Sequence, residues 1–297
     1  MKNMVFADLA LLIVAVVWGT GFIVTKNTLA LITPLHMVAM RFLVATVIIA
    51  VISIKKLKSI KPSDLKGGII VGFMLFMGFA TQTIGMQYTT AGKSAFLTGT
   101  NVVMVPFIMW FIYKKRPDIY AIIAAVLCFI GVSLLTIGSE LTSLSAGDIW
   151  ALSCAVFFAL HIVTTGIFVK KIDPTVLTLL QFTTVTLLAF SSAYFVEGPV
   201  QMPQPEAMMS VLFLGVFSTC IAFFIQTVAQ KYTTATHAAI ILSMEAMFGT
   251  LLGIFILNEP YTAIMGIGCL IILIAIVTAE TGWSFLKPKK KSLSDAV

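Results

Sequence analysis

The chain has 297 residues, of which 59% are hydrophobic and only 10% are charged, and its mean hydropathy is +1.06. This composition lies far from that of a soluble domain and excludes a soluble enzyme or regulator as the bulk of the protein. The formal net charge of +7 does not point to nucleic acid, because the basic residues are distributed among the connections between apolar runs.

Apolar runs long enough to cross a bilayer recur from one end of the chain to the other. About 20 residues at ~1.5 Å each span a hydrocarbon core of ~30 Å, and lipid requires internally hydrogen-bonded backbone, which favours helices. We therefore predict an all-α integral membrane protein whose ten transmembrane helices cover residues 5 to 25, 36 to 54, 67 to 87, 94 to 113, 118 to 138, 148 to 168, 175 to 196, 207 to 229, 236 to 257 and 261 to 281.

The basic residues predict the orientation. If the N-terminus is cytoplasmic, 16 of the 19 Lys and Arg residues fall on cytoplasmic segments, among them the basic tail at 283 to 297. The opposite connections carry acids instead, such as Glu140 and Glu197. The positive-inside rule then places both termini in the cytoplasm.

The sequence also repeats itself. Asp8, Pro34 and Phe42 recur 140 residues later, and QTIGMQYTTAGKSA from residue 82 recurs as QTVAQKYTTATHAA from residue 226. The period predicts two homologous halves, 1 to 140 (helices 1 to 5) and 145 to 282 (helices 6 to 10). Five crossings per half put the second half in the membrane upside down, and inverted repeats are typical of transporters with a site at the repeat interface.

Three stretches carry a family resemblance: WGTGFIVTK with ITPLHMVAMRF at 18 to 42, QYTTAGKSAFLTGTNVVMVP at 87 to 106 and FILNEP at 255 to 260. In order and spacing they resemble the drug/metabolite transporter (DMT) superfamily, in its ten-helix EamA branch. The resemblance implies a central cavity lined mainly by helices 1, 3, 4, 6, 8 and 9, and helices 5 and 10 near a dimer or scaffold edge.

Polar residues at equivalent positions of the two halves are the first candidates for a site on the symmetry axis. Gln82 and Gln226 form one such pair, and Asn101 and Glu245 form another. A charge near the bilayer centre costs at least ~2.5 kcal/mol, so Glu245 requires a partner, a proton or a watery cavity. Gly249, one turn further on, predicts that this helix face packs against protein. For each pair, a role in joining helices stays open beside substrate binding.

Three further residues complete the predicted substrate-binding set. Trp18 and Phe22, one turn apart on helix 1, are deep enough to wall a cavity, and His161 lies within the apolar depth of helix 6. Arg41 is assigned a structural role, and Lys26 is expected to reach toward the interface. The sequence carries no enzyme motif and predicts neither a metal site nor a cofactor.

These observations favour a secondary transporter of the cell's inner (cytoplasmic) membrane that exports small polar metabolites, amino acids or related compounds, by alternating access. Its partners would be the solute and the lipid bilayer, with a homodimer left open. Two alternatives remain: proton-coupled efflux of cationic or lipophilic drugs through Glu245, and a non-transporting membrane scaffold whose polar pairs touch only each other.

Overall fold

A computed structural model of the chain describes residues 2–89, 91–136, 146–199, 203–257 and 262–281. Every regular element among them is helical. The α-helices are α1 (Lys2–Thr28), α2 (Pro34–Ile52), α3 (Pro62–Gln87), α4 (Ala91–Gly99), α5 (Asn101–Tyr113), α6 (Ile119–Thr136), α7 (Ala146–Phe168), α8 (Pro174–Glu197), α9 (Pro205–Phe213), α10 (Ala222–Ala229), α11 (Ala235–Leu242), α12 (Met244–Leu257) and α13 (Ala263–Thr281). A 3₁₀-helix covers Ile54–Ser59, and a π-helix, Leu214–Ile221, joins α9 to α10.

Eight helical stretches among the described residues are long and apolar enough to cross a membrane, and two shorter apolar helices accompany them, Ile119–Leu134 and Ala263–Ala279. Large apolar side chains point outward from several of these helices, among them Phe111, Phe195 and Phe255. In water such a surface would be unstable, whereas in lipid it is the ordinary surface of a helical bundle. The predicted all-helical membrane fold is confirmed, and the count of ten crossings stays a prediction.

Four helices begin with proline at their first position: Pro34, Pro62, Pro174 and Pro205. Proline is favoured there because its ring fixes φ and its missing N–H would have no partner in the first turn. Pro34 and Pro174 are repeat counterparts, so the second and seventh predicted spans begin at the same point of each half.

Helices α2 and α8 meet where the two halves are related to each other. The Thr46 and Thr186 hydroxyls, 140 residues apart, hydrogen-bond across 2.9 Å. The rings of Phe42 and Phe182, also 140 residues apart, meet edge to face with centroids 5.6 Å apart. Equivalent residues can touch only next to the axis that relates the two halves, so this axis passes between α2 and α8.

The same two helices run in opposite directions. A side chain at the end of α8 binds the N-terminus of α2, and a side chain just after α2 binds the N-terminus of α8. Glu197, the last residue of α8, accepts hydrogen bonds from the backbone N–H groups of Leu35 and His36 in the first turn of α2. At the other end, Lys56 lies 2.8 Å from Asp173, the N-cap of α8. Partial burial alone would raise the pKa of Asp173, but hydrogen bonds from Lys56 and the backbone lower it below its usual value.

The predicted eighth span is not a regular α-helix. Pro205 follows its counterpart Pro62 by 143 residues, whereas Gln226 follows Gln82 by 144, so the second half carries one additional residue between these points. The π-helix Leu214–Ile221 accommodates it: the N–H of Ala222 reaches the carbonyl of Phe217, five residues back. A single inserted residue is the usual origin of such a π-bulge, which frequently occurs at functional sites.

The predicted fourth and ninth spans are each divided into two helices. The divisions fall at Thr100, with φ −61° and ψ −15°, and at Ser243, with φ −63° and ψ −12°. These values are typical of a 3₁₀ turn, in which each N–H bonds three residues back instead of four. Both breaks lie just before the Asn101 and Glu245 pair, so the two halves share the discontinuity as well as the polar position.

Small residues let the halves approach closely. A Cβ added to Gly72 of α3 would lie 2.5 Å from the Cβ of Thr184 and 2.7 Å from the Gln181 carbonyl oxygen, both in α8. Its counterpart Gly215 makes the same approach to α2, where an added Cβ would lie 2.9 Å from that of Val44. Real Cβ atoms do not come this close, so these crossings require glycine.

We expect Gly72→Ala to lower the free energy of unfolding by about 1–3 kcal/mol, because backbone and a branched side chain oppose the new methyl group. Gly166→Ala is the matched control, since its added Cβ would meet Ala235 at an ordinary 3.6 Å. Thermal unfolding of the detergent-solubilised variants measures both. Equal melting temperatures for the two variants would contradict the close crossing of α3 and α8.

Candidate functional site

A cavity bordered by several polar side chains lies between the two halves, close to the contact of α2 and α8. It is lined by side chains from α1, α2, α3, α4, α5, α7, α10, α11 and α12 and from the π-helix. The space open to the centres of water-sized molecules is about 60 Å³. At roughly 10–15 Å³ per water, that is room for about four to six waters.

All seven residues predicted for a substrate site line this one cavity: Trp18, Phe22, Gln82, Asn101, His161, Gln226 and Glu245. The first two come from one half of the chain and His161 from the other, while the two pairs contribute one member from each half. Their common location is a finding of the structure, and their binding of a solute stays a prediction.

Glu245 lies in the first turn of α12, directly after the break at Ser243. It is 8% exposed, and within the described part of the chain its carboxylate has neither a hydrogen bond nor an ion pair. The N-terminus of α12 provides a favourable field for an acid, but that effect is small beside the cost of a buried charge. The carboxyl group of Glu245 therefore borders the cavity and accepts no hydrogen bond from the described residues.

The helix that carries Glu245 packs against α1, as Gly249 predicts. A Cβ at Gly19 would lie 2.7 Å from the backbone nitrogen of Gly249 and 3.0 Å from the carbonyl oxygen of Glu245. The two helices therefore touch backbone to backbone, which fixes Glu245 relative to Trp18 on the neighbouring position of α1. The prediction that this face packs against protein is confirmed.

The two glutamines are equivalent in sequence but differ in their bonds. The amide of Gln82 donates to the Thr98 hydroxyl at 3.1 Å. The amide of Gln226 donates to Gln230 at 3.3 Å, while its own side-chain oxygen is buried and has no partner. An unpartnered buried acceptor calls for a donor from water or a solute.

His161 is held by its neighbours. Its Nε2 lies 2.9 Å from the side-chain oxygen of Gln181, and Thr165 is within 3.3 Å on the same helix. Gln181 in turn donates to Thr227 at 3.2 Å. One ring nitrogen is thus fixed by this network while the ring edge forms part of the cavity wall.

Aromatic rings form another wall. The Trp18 indole N–H donates to the carbonyl oxygen of Ser218 at 2.9 Å, and its ring lies 4.8 Å from that of Phe223. Ser218 belongs to the π-helix, where the altered hydrogen-bond register leaves carbonyls available to side chains. The additional residue of the second half therefore positions Trp18 in the first. Phe22 lines the cavity without a polar contact.

Arg41 is the residue that sequence reasoning placed outside the site. Its guanidinium lines the cavity, lies 4.6 Å from the centre of the Phe79 ring, and donates to the hydroxyls of Thr219 at 2.8 Å and Ser218 at 3.3 Å. The sequence signal was present, since an arginine seven residues into an apolar helix is as unusual as Glu245. Lys26 is different: it caps the carbonyls that end α3, those of Met86 and Thr89.

The structure is a two-repeat helical membrane bundle with a small cavity. Among the described residues, the acid and the arginine that border this cavity have no ion pair, and one amide oxygen has no hydrogen-bond partner. The chain belongs to the EamA-like transporter family, whose profile matches it twice, at residues 5–137 and 145–280.

Individual relatives agree with this membership. A protein named an uncharacterized transporter from Archaeoglobus fulgidus is 32% identical over 272 residues, covering 92% of this chain and 85% of its own. The uncharacterized transporter YoaV of Bacillus subtilis is 25% identical and covers 91% and 94%. A WAT1-related chloroplastic protein of Arabidopsis thaliana is 21% identical over 87% of this chain and 66% of its own. A protein of known crystal structure shares the fold with a TM-score of 0.79 at 17% identity, over 95% of this chain and 99% of that one.

We expect Glu245→Gln to raise the free energy of unfolding by about 1–3 kcal/mol in the absence of solute, because a neutral amide is easier to bury than an unpaired carboxylate. Glu197→Gln, the same substitution in an acid that caps α2, should lower it by about 1–3 kcal/mol, because an amide nitrogen would oppose backbone N–H groups. Thermal unfolding in detergent compares the two. A loss of stability in both variants would mean that Glu245 is held by a bond as Glu197 is.

Proposed function

We propose that the protein is a secondary transporter that carries small polar metabolites, amino acids or related compounds, out of the cell by alternating access. The observation that carries the proposal is the cavity, which gathers polar side chains from both halves and includes the unpartnered side-chain oxygen of Gln226. A rocking motion of two inverted halves would expose such a site to each side of the membrane in turn.

Several features support a solute that is small and polar. The cavity has space for about four to six waters, and its walls combine amides, hydroxyls and ionisable groups with aromatic rings. Another prominent groove, on the outside of α1 and α10, is lined by apolar side chains and Tyr232. The relatives are named as transporters, which supports transport as the function.

The arrangement in the membrane is part of the proposal. We place both termini in the cytoplasm and the ten crossings in two inverted halves, 1 to 140 and 145 to 282, in the cell's inner membrane. The opposite directions of α2 and α8 support the inversion. A homodimer through the outer helices is an added proposal, tested by the oligomeric state in detergent.

A scaffold without transport requires the polar pairs to bond only to one another. The geometry disfavours it, because Gln82 and Gln226 each bond to a different residue, and Asn101 and Glu245 both open onto the cavity. Proton-coupled drug efflux would use Glu245 as the proton carrier, and its distinguishing result is loss of uphill transport, with exchange retained, in Glu245→Gln.

We expect purified protein in liposomes to release a ¹⁴C-labelled mixture of L-amino acids down its gradient faster than protein-free liposomes. Gln226→Leu should slow the release by about 2- to 10-fold, the range for one lost neutral hydrogen bond. Gln87→Leu is the matched control, because Gln87 is exposed near the end of α3. Release at the protein-free rate would refute amino acids as the solute class, and a panel of other labelled metabolites would then test transport itself.

A further inference from the structure

We propose that Arg41 selects the transported solute by its anionic group, so that a carboxylate binds the guanidinium while the amino group of the same solute faces Glu245. The inference rests on the proposed transport function and adds to it a specificity-determining residue and a required charge pattern.

The guanidinium has unused donors on the cavity side. An arginine carries five N–H groups. The Nε–H goes to Thr219 and one Nη2–H to Ser218, and among the described residues the other three have no acceptor. Arg41 is only 3% exposed and lines the cavity, so water or a solute in the cavity is left to accept from these N–H groups. A planar carboxylate fits a guanidinium with two parallel hydrogen bonds.

The charge of Arg41 is also uncompensated. Within the described parts of the chain, no carboxylate lies within 4.0 Å of the guanidinium; the ion pairs found there are those of His36 with Glu197 and of Lys56 with Asp173. The ring of Phe79 supplies a cation–π contact, which offsets only part of the cost of burial. An anion arriving in the cavity would supply the missing partner.

Glu245 presents the opposite requirement in the same cavity. It is buried and unpaired, and it does not form an ion pair with Arg41 although both residues line the space. Each charge comes from one half, and its counterpart in the other half is a neutral amide: Gln181 for Arg41 and Asn101 for Glu245. The cavity is therefore bordered by one basic and one acidic side chain, each without an ionic partner among the described residues.

This pattern fits a zwitterion. A simple amine would satisfy Glu245 and leave Arg41 unpaired, and a simple carboxylic acid would do the reverse. Sites that offer a buried hydrogen-bonding group discriminate strongly against a solute that lacks its partner, because the group is left desolvated and unpaired.

The π-helix orients the side chain of Arg41. Its hydroxyls on Ser218 and Thr219 hold one edge of the guanidinium, and its Ser218 carbonyl holds Trp18 beside it. In the first half the position equivalent to His161 is Gly21, and an added Cβ there would lie 3.1 Å from the Ser218 hydroxyl oxygen. The absence of a side chain at Gly21 thus leaves room for the π-helix and the arginine it orients.

The experiment measures charge preference in proteoliposomes. Uptake of each labelled L-amino acid identifies those carried. Competition then compares each of these with its decarboxylated amine and its deaminated acid; for leucine the analogues are 3-methylbutylamine and 4-methylpentanoate. For the wild type we expect the amino acid to compete about 10- to 100-fold better than the amine, the range for hydrogen bonds to a charged group.

Arg41→Gln should bring the ratio of competition by the amino acid to competition by the amine close to one. Arg41→Lys should retain part of the preference, because lysine keeps the positive charge but lacks the paired N–H donors of the guanidinium. The Gln variant copies Gln181, which the second half accommodates at the equivalent position. Lys26→Gln is the matched control: it removes a lysine that caps the end of α3 outside the cavity, and the ratio should keep its wild-type value.

A purely structural role for Arg41 would weaken amino acid, amine and acid equally and leave their ratio unchanged, which would overturn the inference while transport of amino acids still stands. If Arg41→Gln fails to fold, Arg41→Lys decides: an unchanged ratio overturns the inference, and a several-fold smaller ratio supports it. If the wild type carries no amino acid, the proposed solute class fails and the inference fails with it.

Discussion

The contact of α2 with α8 is the constraint on which the rest of the fold depends. Two copies of one helical unit can share a site only if they meet at an axis, and here Thr46 meets Thr186 and Phe42 meets Phe182 on that axis. Glu197 and Lys56 then tie the two ends of the pair, each to the N-terminus of the opposite helix. These bonds join α2 and α8 at both ends, and other helices pack against the pair, α3 on α8 and the π-helix on α2.

The positions at which the two halves differ supply the ionisable side chains of the cavity. A perfectly duplicated chain would give the cavity either two acids or none, and either two arginines or none. Instead Glu245 has Asn101 as its counterpart, Arg41 has Gln181, and the second half carries an additional residue that turns part of its helix into a π-helix. Each change is local, and the equivalent breaks at Thr100 and Ser243 show that the backbone framework around them has kept its symmetry.

The sequence predicted the fold well because the bilayer and the duplication each leave a pattern that a single chain displays. Apolar runs mark the helices, and repeated prolines and glutamines align the halves. The π-helix and the breaks before Asn101 and Glu245 were not predicted, because no proline marks them and hydropathy does not change there. Arg41 was assigned to structure because its counterpart, Gln181, carries no charge; the contacts that place it on the cavity come from the π-helix, nearly 180 residues away in sequence.

The position of each charge along the bundle separates structural from functional roles. Lys26, Lys56, Asp173 and Glu197 lie at helix ends and are engaged with backbone or with an opposite charge. Arg41 and Glu245 lie within their helical spans, are more deeply buried, and have no ionic partner in the described chain. Burial of unpaired charge is unfavourable in a membrane unless water or a solute compensates it. The two side chains are opposite in charge type and border one cavity, so a single dipolar molecule in that cavity can compensate both. Without such a molecule, both side chains stay buried with no ionic partner among the described residues.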